Sequence, residues 1–214
     1  LPKNVLGDEI RCPLFFVNHI DVAQLGGGTA VLITAPLRFN GGLSAVTLLG
    51  LCPGLPTYSA YFSQYRINSM KIKLEAIAQE DGNNCDSDLY MYSWFGRQNT
   101  GPTSLNPNSL FEQPYVKFKK VGQQMTGNAS CKLSHKESIV RINGDRIDAQ
   151  DADWVGQTLT TSPYFNTDPL FNLYHQSGFV SMSPSGMRGT GRWTVKLTYT
   201  FDCVFFNKRT LSTV

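Results

Sequence analysis

The stretch from Trp193 to Phe206 limits the fold more than any other part of the chain. Trp193, Val195, Leu197, Tyr199, Phe201, Cys203 and Phe205 alternate with Thr194, Lys196, Thr198, Thr200 and Asp202. Apolar and polar side chains repeating with a period of two define a β-strand with one buried face. On a helix the same spacing would scatter the apolar groups around the whole circumference. At about 3.3 Å per residue the strand extends on the order of 40 Å, well past the usual strand length. So long a strand needs long partners and a thick apolar layer over its inner face.

The rest of the chain supplies partners. Ile10 to Val22 has a dense apolar centre, and Pro13, which has no N–H to donate, marks a bulge or an edge position within it. Thr29 to Ala35 is a second, short strand between glycine turns at Gly26-Gly27-Gly28 and Gly41-Gly42. No Gly-Lys-Ser/Thr and no helix follows these glycines, so neither a P-loop nor a dinucleotide fingerprint fits them. Leu51 to Gln64 reads as a proline-bearing loop running into a short helix at Thr57. In Tyr65 to Ile77, Tyr65 and Ile67 hold one phase while Met70, Ile72, Leu74 and Ala76 hold the other. All six can face one core only if an extra residue is accommodated near Asn68 and Ser69, which predicts a β-bulge.

Glu80 to Asp88 is a polar turn, and Leu89 to Phe95 is a strand with Tyr90, Tyr92 and Trp94 on one face. A long loop, Gly96 to Asn108, follows. Tyr115 to Val121 and Ala129 to Ile142 read as two more strands, the second closed by the turn signal Asn143-Gly144. Asp145 to Thr161 is acidic, with a short helix expected at Asp148 to Val155. One or two strands lie between Leu170 and Met182, and Pro184 to Gly191 is a loop leading into the final strand. Many strands with few helical residues make an all-β sandwich or barrel. Connections as long as Gly96 to Pro114 and Asp145 to Pro169 favour a Greek-key or jelly-roll path over an up-and-down barrel.

At 214 residues, 41% hydrophobic, the chain can build one substantial core, so a single domain over 1–214 is expected. No apolar run approaches the roughly 20 residues of a membrane span, and no secretory pattern opens the chain, so no membrane insertion is expected. The start at Leu1-Pro2-Lys3 leads us to expect a further N-terminal segment. A net charge of +3 with a pI near 8.6 is mildly basic, short of the balance of a dedicated nucleic-acid-binding domain. Cys12, Cys52, Cys85, Cys131 and Cys203 are scattered, odd in number and without a C-x-x-C pair, which fits neither zinc nor a disulfide framework. Cys12, Cys131 and Cys203 keep phase with apolar neighbours and read as core residues of a chain folding in a reducing compartment.

Catalysis has no specific signal. His19, His135 and His175 each sit in a strand pattern without a second histidine two or four residues on, and neither a Gly-x-Ser-x-Gly elbow nor His-Glu-x-x-His occurs. No enzyme activity and no cofactor are expected. Asp81, Asn83, Asp86 and Asp88, and again Asp145, Asp148, Asp151 and Asp153, are acidic loops that fit solvated or subunit-contact segments, with calcium between subunits as the other reading. Asn128-Ala129-Ser130 is a single glycosylation sequon of the kind that arises by chance. Basic residues gather at Lys117, Lys119 and Lys120, at Lys132 and Lys136, and at Lys208 and Arg209. They are either a solvated strand face and tail or a surface that meets nucleic-acid phosphates or a sulfated glycan through charge.

Two stretches carry a resemblance. Tyr65-Arg66-Ile67-Asn68-Ser69-Met70-Lys71-Ile72-Lys73-Leu74-Glu75, with its aromatic and proline-rich approach from Leu55, resembles the strand after the first long loop of circovirus-like capsid proteins. Trp193 to Phe201, with Phe205-Phe206-Asn207, resembles their last strand. Looser parallels exist with the shell domains of small plus-strand RNA plant viruses, notably at Cys52-Pro53-Gly54. The resemblance implies a single eight-stranded jelly-roll β-sandwich with long inter-strand loops, its last strand lying beside its first. It also implies a coat protein that assembles with itself into a small icosahedral shell around single-stranded DNA, held mainly by a basic N-terminal arm. Assembly in the host nucleus, a place in the virion and a host attachment factor follow from the same likeness. Jelly rolls also serve as carbohydrate- or receptor-binding modules, the alternative function for this chain.

Overall fold

The computed structural model describes residues 8–23, 30–41, 48–79, 89–99, 101–102, 107–121, 130–144, 153–161, 164–182 and 192–209. The chain runs through β1 (Glu9–Ala23), β2 (Ala30–Arg38), a 3-10 turn at Leu49–Leu51, α1 (Leu55–Tyr61) and β3 (Phe62–Ala78). It continues through β4 (Leu89–Gly96), α2 (Pro107–Phe111), β5 (Val116–Lys120), β6 (Ser130–Ser138) and α3 (Ile139–Asn143). The short β7 (Gly156–Thr158) and β8 (Phe165–Thr167) precede β9 (Tyr174–Ser181) and β10 (Arg192–Lys208).

Two antiparallel sheets face each other. The first orders its long strands β1-β10-β3-β6, with β7 and β8 continuing beside the start of β3, and the second runs β2-β9-β4-β5. With β7 and β8 set aside, the chain changes sheet at every step except β4 to β5. That path is the jelly roll, in which the last strand returns to lie between the first and the third. β10 is therefore central. It pairs with β1 from Glu9↔Phe206 to Ala23↔Arg192 and with β3 from Trp193↔Ala78 to Lys208↔Phe62.

The inner phase of β10 forms the middle of the core. Trp193, Val195, Leu197, Tyr199, Phe201, Cys203 and Phe205 are all sealed from solvent, together with Met70, Ile72, Leu74 and Ala76 of β3 and Leu89, Met91 and Phe95 of β4. Rings meet across the two sheets, Phe179 against Trp193 at 5.6 Å and His175 edge-on to Tyr199 at 6.0 Å between centroids. The phase change in β3 is resolved as the sequence predicts. Asp202 pairs with Ser69 and Cys203 with Ile67, which leaves Asn68 as the extra, bulged residue. Cys12 lies in register with Cys203, and both are buried free thiols, as are Cys52 and Cys131. Burial pushes the Cys52 thiol up to about 12, which keeps it protonated and unreactive.

Several boundaries differ from the sequence pattern. The expected strand Ala129 to Ile142 ends at Ser138, where the Ser138 side chain accepts a hydrogen bond from the Arg141 N–H and starts α3. An N-cap serine outweighs the apolar alternation that Val140 and Ile142 suggest. Gly144, at φ 85°, closes that helix in the left-handed region. The helix at Leu55 begins earlier than expected, with Pro56 in its first turn, and the following strand starts at Phe62. The face of β4 carrying Tyr90, Tyr92 and Trp94 turns away from the main core, where α2 covers it: Leu110 packs with Tyr92 and Val180, and Phe111 lies 5.6 Å from Tyr90. Strands β7 and β8 carry no alternation long enough to be seen in sequence. The turn at 80–88, residues 145–152 of the acidic stretch, the loop at 184–191, Gly26 to Gly28, Gly42, Cys85, Asn128 and the first seven residues lie outside the described residues, and the described end of the helix expected at Asp148 to Val155, residues 153–155, is a turn.

Candidate nucleic-acid interface

The seven basic residues singled out above fall in three places. Lys117, Lys119 and Lys120 are exposed on β5, the outer strand of the second sheet. Lys132 and Lys136 are exposed on β6, the outer strand of the first. These two edges adjoin: Lys119 Nζ donates to the Lys132 carbonyl at 3.1 Å, and Cys131 Sγ reaches the Lys120 carbonyl at 3.7 Å. The structure therefore joins the two strand clusters along one side of the sandwich. Lys208 and Arg209 lie elsewhere. The Arg209 guanidinium donates to the carbonyls of Thr158 and Ser59, and the Arg209 backbone N–H donates to the Tyr61 carbonyl at 2.8 Å, so the residue clamps the end of β10 onto α1 and β7.

The residues missed in sequence are on the solvent face of the first sheet. Register places Phe15, Thr200, Lys71 and Lys136 in one row across β1, β10, β3 and β6. The next row is Val17, Thr198, Lys73 and Ser134, and the one after is His19, Lys196, Glu75 and Lys132. Three acids on this face are already engaged, and a fourth, Glu9, stands at the far end of β1 in register with Phe206. Asp202 holds Arg11, Glu75 lies 3.5 Å from Lys132, and Asp21 accepts from Thr194 and Gln79. Among the described residues Lys71, Lys73, Lys136 and Lys196 have no acidic partner within ion-pair distance. The signal was present in sequence as the polar phase of the two longest strands, which gave the fold while the lysines in that phase went uncounted.

The strongest candidate for proton chemistry is buried. His135 Nδ1 lies 3.1 Å from Ser93 Oγ and His135 Nε2 lies 3.0 Å from Glu137 Oε1, while Ser93 Oγ lies 3.0 Å from His175 Nε2. Glu137 also accepts from the Arg141 guanidinium at 3.2 Å. One proton order runs through the side chains with both rings neutral, and it leaves the Ser93 carbonyl, 3.1 Å from His135 Nδ1, without a proton from that nitrogen. His175 Nε2–H donates to Ser93 Oγ, the serine hydroxyl donates to His135 Nδ1, and His135 Nε2–H donates to the carboxylate. Burial pushes both histidines below their ordinary range, to about 3 for His175, where the neighbouring His135 adds repulsion. At His135 the attraction of Glu137 opposes burial, and Lys117 on the adjoining edge adds to the lowering. Phe95 seals the space between the rings, with centroids 4.7 and 5.0 Å away. The sequence search by spacing overlooked Glu137, two residues from His135 on the same strand face. The network links β4, β6, β9 and α3 and ties the two sheets together.

Among the described residues no group of three His, Cys, Asp or Glu side chains could hold a metal ion. Of the two acidic clusters only Asp153 is described. Of the aromatic residues in and beside the connections, Phe62, Trp154 and Phe165 are core residues, Tyr58, Phe111, Tyr164 and Phe171 are partly buried, and Tyr61 stays exposed.

Fold and surface together define an all-β jelly-roll protein with one basic, open sheet face. Solved structures similar to it include the BFDV capsid protein in its 60-mer form, with 10% identity over 96% of this chain and 97% of that one at a TM-score of 0.49. Desmodium yellow mottle tymovirus matches with 10% identity over 100% and 97% at 0.40, and the Penaeus monodon metallodensovirus capsid after EDTA treatment with 12% over 96% and 77% at 0.40. No family model and no curated protein sequence matches the chain. At these TM-scores the jelly-roll assignment rests on the strand order of the chain itself.

Proposed function

We propose that the chain is a viral coat protein, with residues 1–214 as one shell unit, whose copies assemble into a small icosahedral shell around single-stranded DNA. One observation carries the reading. The two stretches that resemble circovirus-like capsid proteins lie side by side as β3 and β10, paired along their full length at the centre of a jelly roll. The resemblance thus falls on one continuous piece of architecture.

The surface is in line with assembly. Leu51, Tyr61, Phe118 and Leu170 are large apolar side chains left in water by the isolated chain, Leu170 at 73% exposure. Neighbouring copies would cover such groups. In this reading the protein is structural rather than catalytic, belongs to the virion, is assembled in the host nucleus and presents its outer loops to a host attachment factor. Lys117, Lys119, Lys120, Lys132 and Lys136 add a charged edge for nucleic acid. Lys208, exposed beside the Arg209 clamp, is a separate basic group away from that edge.

A carbohydrate-binding reading is favoured by a separate feature, a cleft of about 540 Å³ lined by Gln64, Gln157, Thr167, Asp168, Phe206 and Asn207. Amide and carboxylate groups beside an aromatic ring suit a sugar. Negative-stain electron microscopy of the purified protein separates the two: uniform particles support the coat protein, and a small oligomer with saturable glycan binding supports the alternative.

A further inference from the structure

We propose that the solvent face of the first sheet binds the backbone of single-stranded nucleic acid, with Lys71, Lys73, Lys136 and Lys196 on the phosphates and Phe15 as a stacking platform. The inference rests on the coat-protein reading and deepens it: the wall of the shell itself, beyond the β5 and β6 edge, takes the genome.

Electrostatics is the first reason. Lys71 and Lys136 are directly opposite each other on β3 and β6, and like charges in that position oppose folding. Lys73 follows two residues on along β3, on the same face, and Lys196 lies diagonally from it on β10. The face keeps this arrangement although Asp202, Glu75 and Asp21, the acids nearest these lysines, are committed to Arg11, Lys132, Thr194 and Gln79. A bound polyanion would turn the repulsion into attraction.

Shape and chemistry narrow the ligand. Lys71 and Lys136 border a shallow hollow of about 320 Å³ that is also lined by Ser69, Thr200 and the Arg11–Asp202 ion pair, in which Arg11 offsets the one carboxylate of the lining. Hydroxyls beside cations are what phosphate oxygens accept from. Phe15 stands at the end of the same row, 54% exposed, and Val17 at the end of the next. The long strands of this sheet, carrying basic residues and an exposed ring, suit unpaired bases, which stack on aromatic side chains, whereas no helix or hairpin among the described residues of this face projects to enter a duplex groove.

The test uses the full chain with fluorescent dT20, a 20-base-pair duplex and a heparin fragment as probes. Lys71→Glu is expected to weaken dT20 binding about tenfold or more while raising the melting midpoint, because it removes a like-charge pair. Binding and stability moving in opposite directions is a result that a merely structural lysine would not give. Lys71→Ala combined with Lys136→Ala is expected to reduce the slope of log affinity against log salt by about 1.4, the value for two lost single-strand phosphate contacts. Phe15→Ser is expected to weaken dT20 with the salt slope unchanged and to leave heparin binding alone. Unchanged dT20 affinity and slope in the lysine variants would overturn the proposal. So would duplex preferred over dT20, or heparin binding that falls with the lysines while Phe15→Ser has no effect on dT20. Particle formation is followed on the same samples: particles with unaltered dT20 binding in the lysine variants defeat this inference alone, and a wild-type protein that never forms particles defeats the coat-protein reading instead.

Discussion

His135 Nε2 lies 3.0 Å from Glu137 Oε1, and both side chains are almost sealed from solvent. This contact anchors a chain of hydrogen bonds that runs through Ser93 to His175 and crosses from one sheet to the other. Its histidines are neutral in the folded protein because burial disfavours their charged form.

The network makes stability depend on pH. An unfolded histidine titrates near about 6.5, and both rings titrate lower when folded, so on acidification the unfolded chain binds protons first. Stability from these groups is complete above that value and falls as pH drops below it. For His175, lowered to about 3, the loss between pH 7 and pH 5 is about 2 kcal/mol. Urea denaturation at the two pH values is expected to show a lower midpoint at pH 5, and His175→Phe is expected to lose less over the same interval. An identical loss in variant and wild type would refute the assignment.

Leu197→Asp is expected to abolish folding. Leu197 is fully buried on the central strand, opposite Leu74 on β3, so an aspartate there has neither water nor a partner charge. Even Leu197→Ala should cost about 3 kcal/mol through the cavity it leaves. Recovery of a soluble, folded Leu197→Asp monomer, judged by near-ultraviolet circular dichroism, would contradict the central placement of β10.

Asp168 holds three elements together. Its carboxylate accepts from the Arg38 guanidinium at 2.8 Å and from the Tyr65 hydroxyl at 3.3 Å, and Arg38 also donates to the Pro169 carbonyl. Arg38 and Asp168 are each only about a tenth exposed. Asp168→Ala strands the guanidinium and is expected to cost about 3 kcal/mol, while the paired replacement Arg38→Met with Asp168→Leu should recover most of it. Chemical denaturation of the three proteins checks this, and a double variant no better than the single would contradict it.

How much of this was legible in sequence follows from how local each signal is. β10, β3 and the Asn68 bulge could be read because a single strand buried on one face writes its phase into consecutive residues. The end of β6 could not, because a serine cap decides between strand and helix at Ser138 while the apolar alternation runs on to Val140 and Ile142. The Glu137–His135–Ser93–His175 network joins residues 82 positions apart at its serine–histidine link, which no spacing rule reaches. The lysine face escaped notice for a related reason. Lys71, Lys73 and Lys196 are unremarkable within their own strands and form a surface with Lys136 only when β10 is inserted between β1 and β3 and β6 is placed on the far side.

The central claim is that this jelly roll is a shell subunit, and the mass of the assembled species tests it most directly. Mass photometry of the purified protein at neutral pH and moderate salt is expected to give one narrow peak near about 1.4 MDa, the mass of sixty copies of the 23.8 kDa chain in closed icosahedral symmetry. A protein that stays at the mass of a monomer or trimer across salt and pH, with dT20 present or absent, would contradict it.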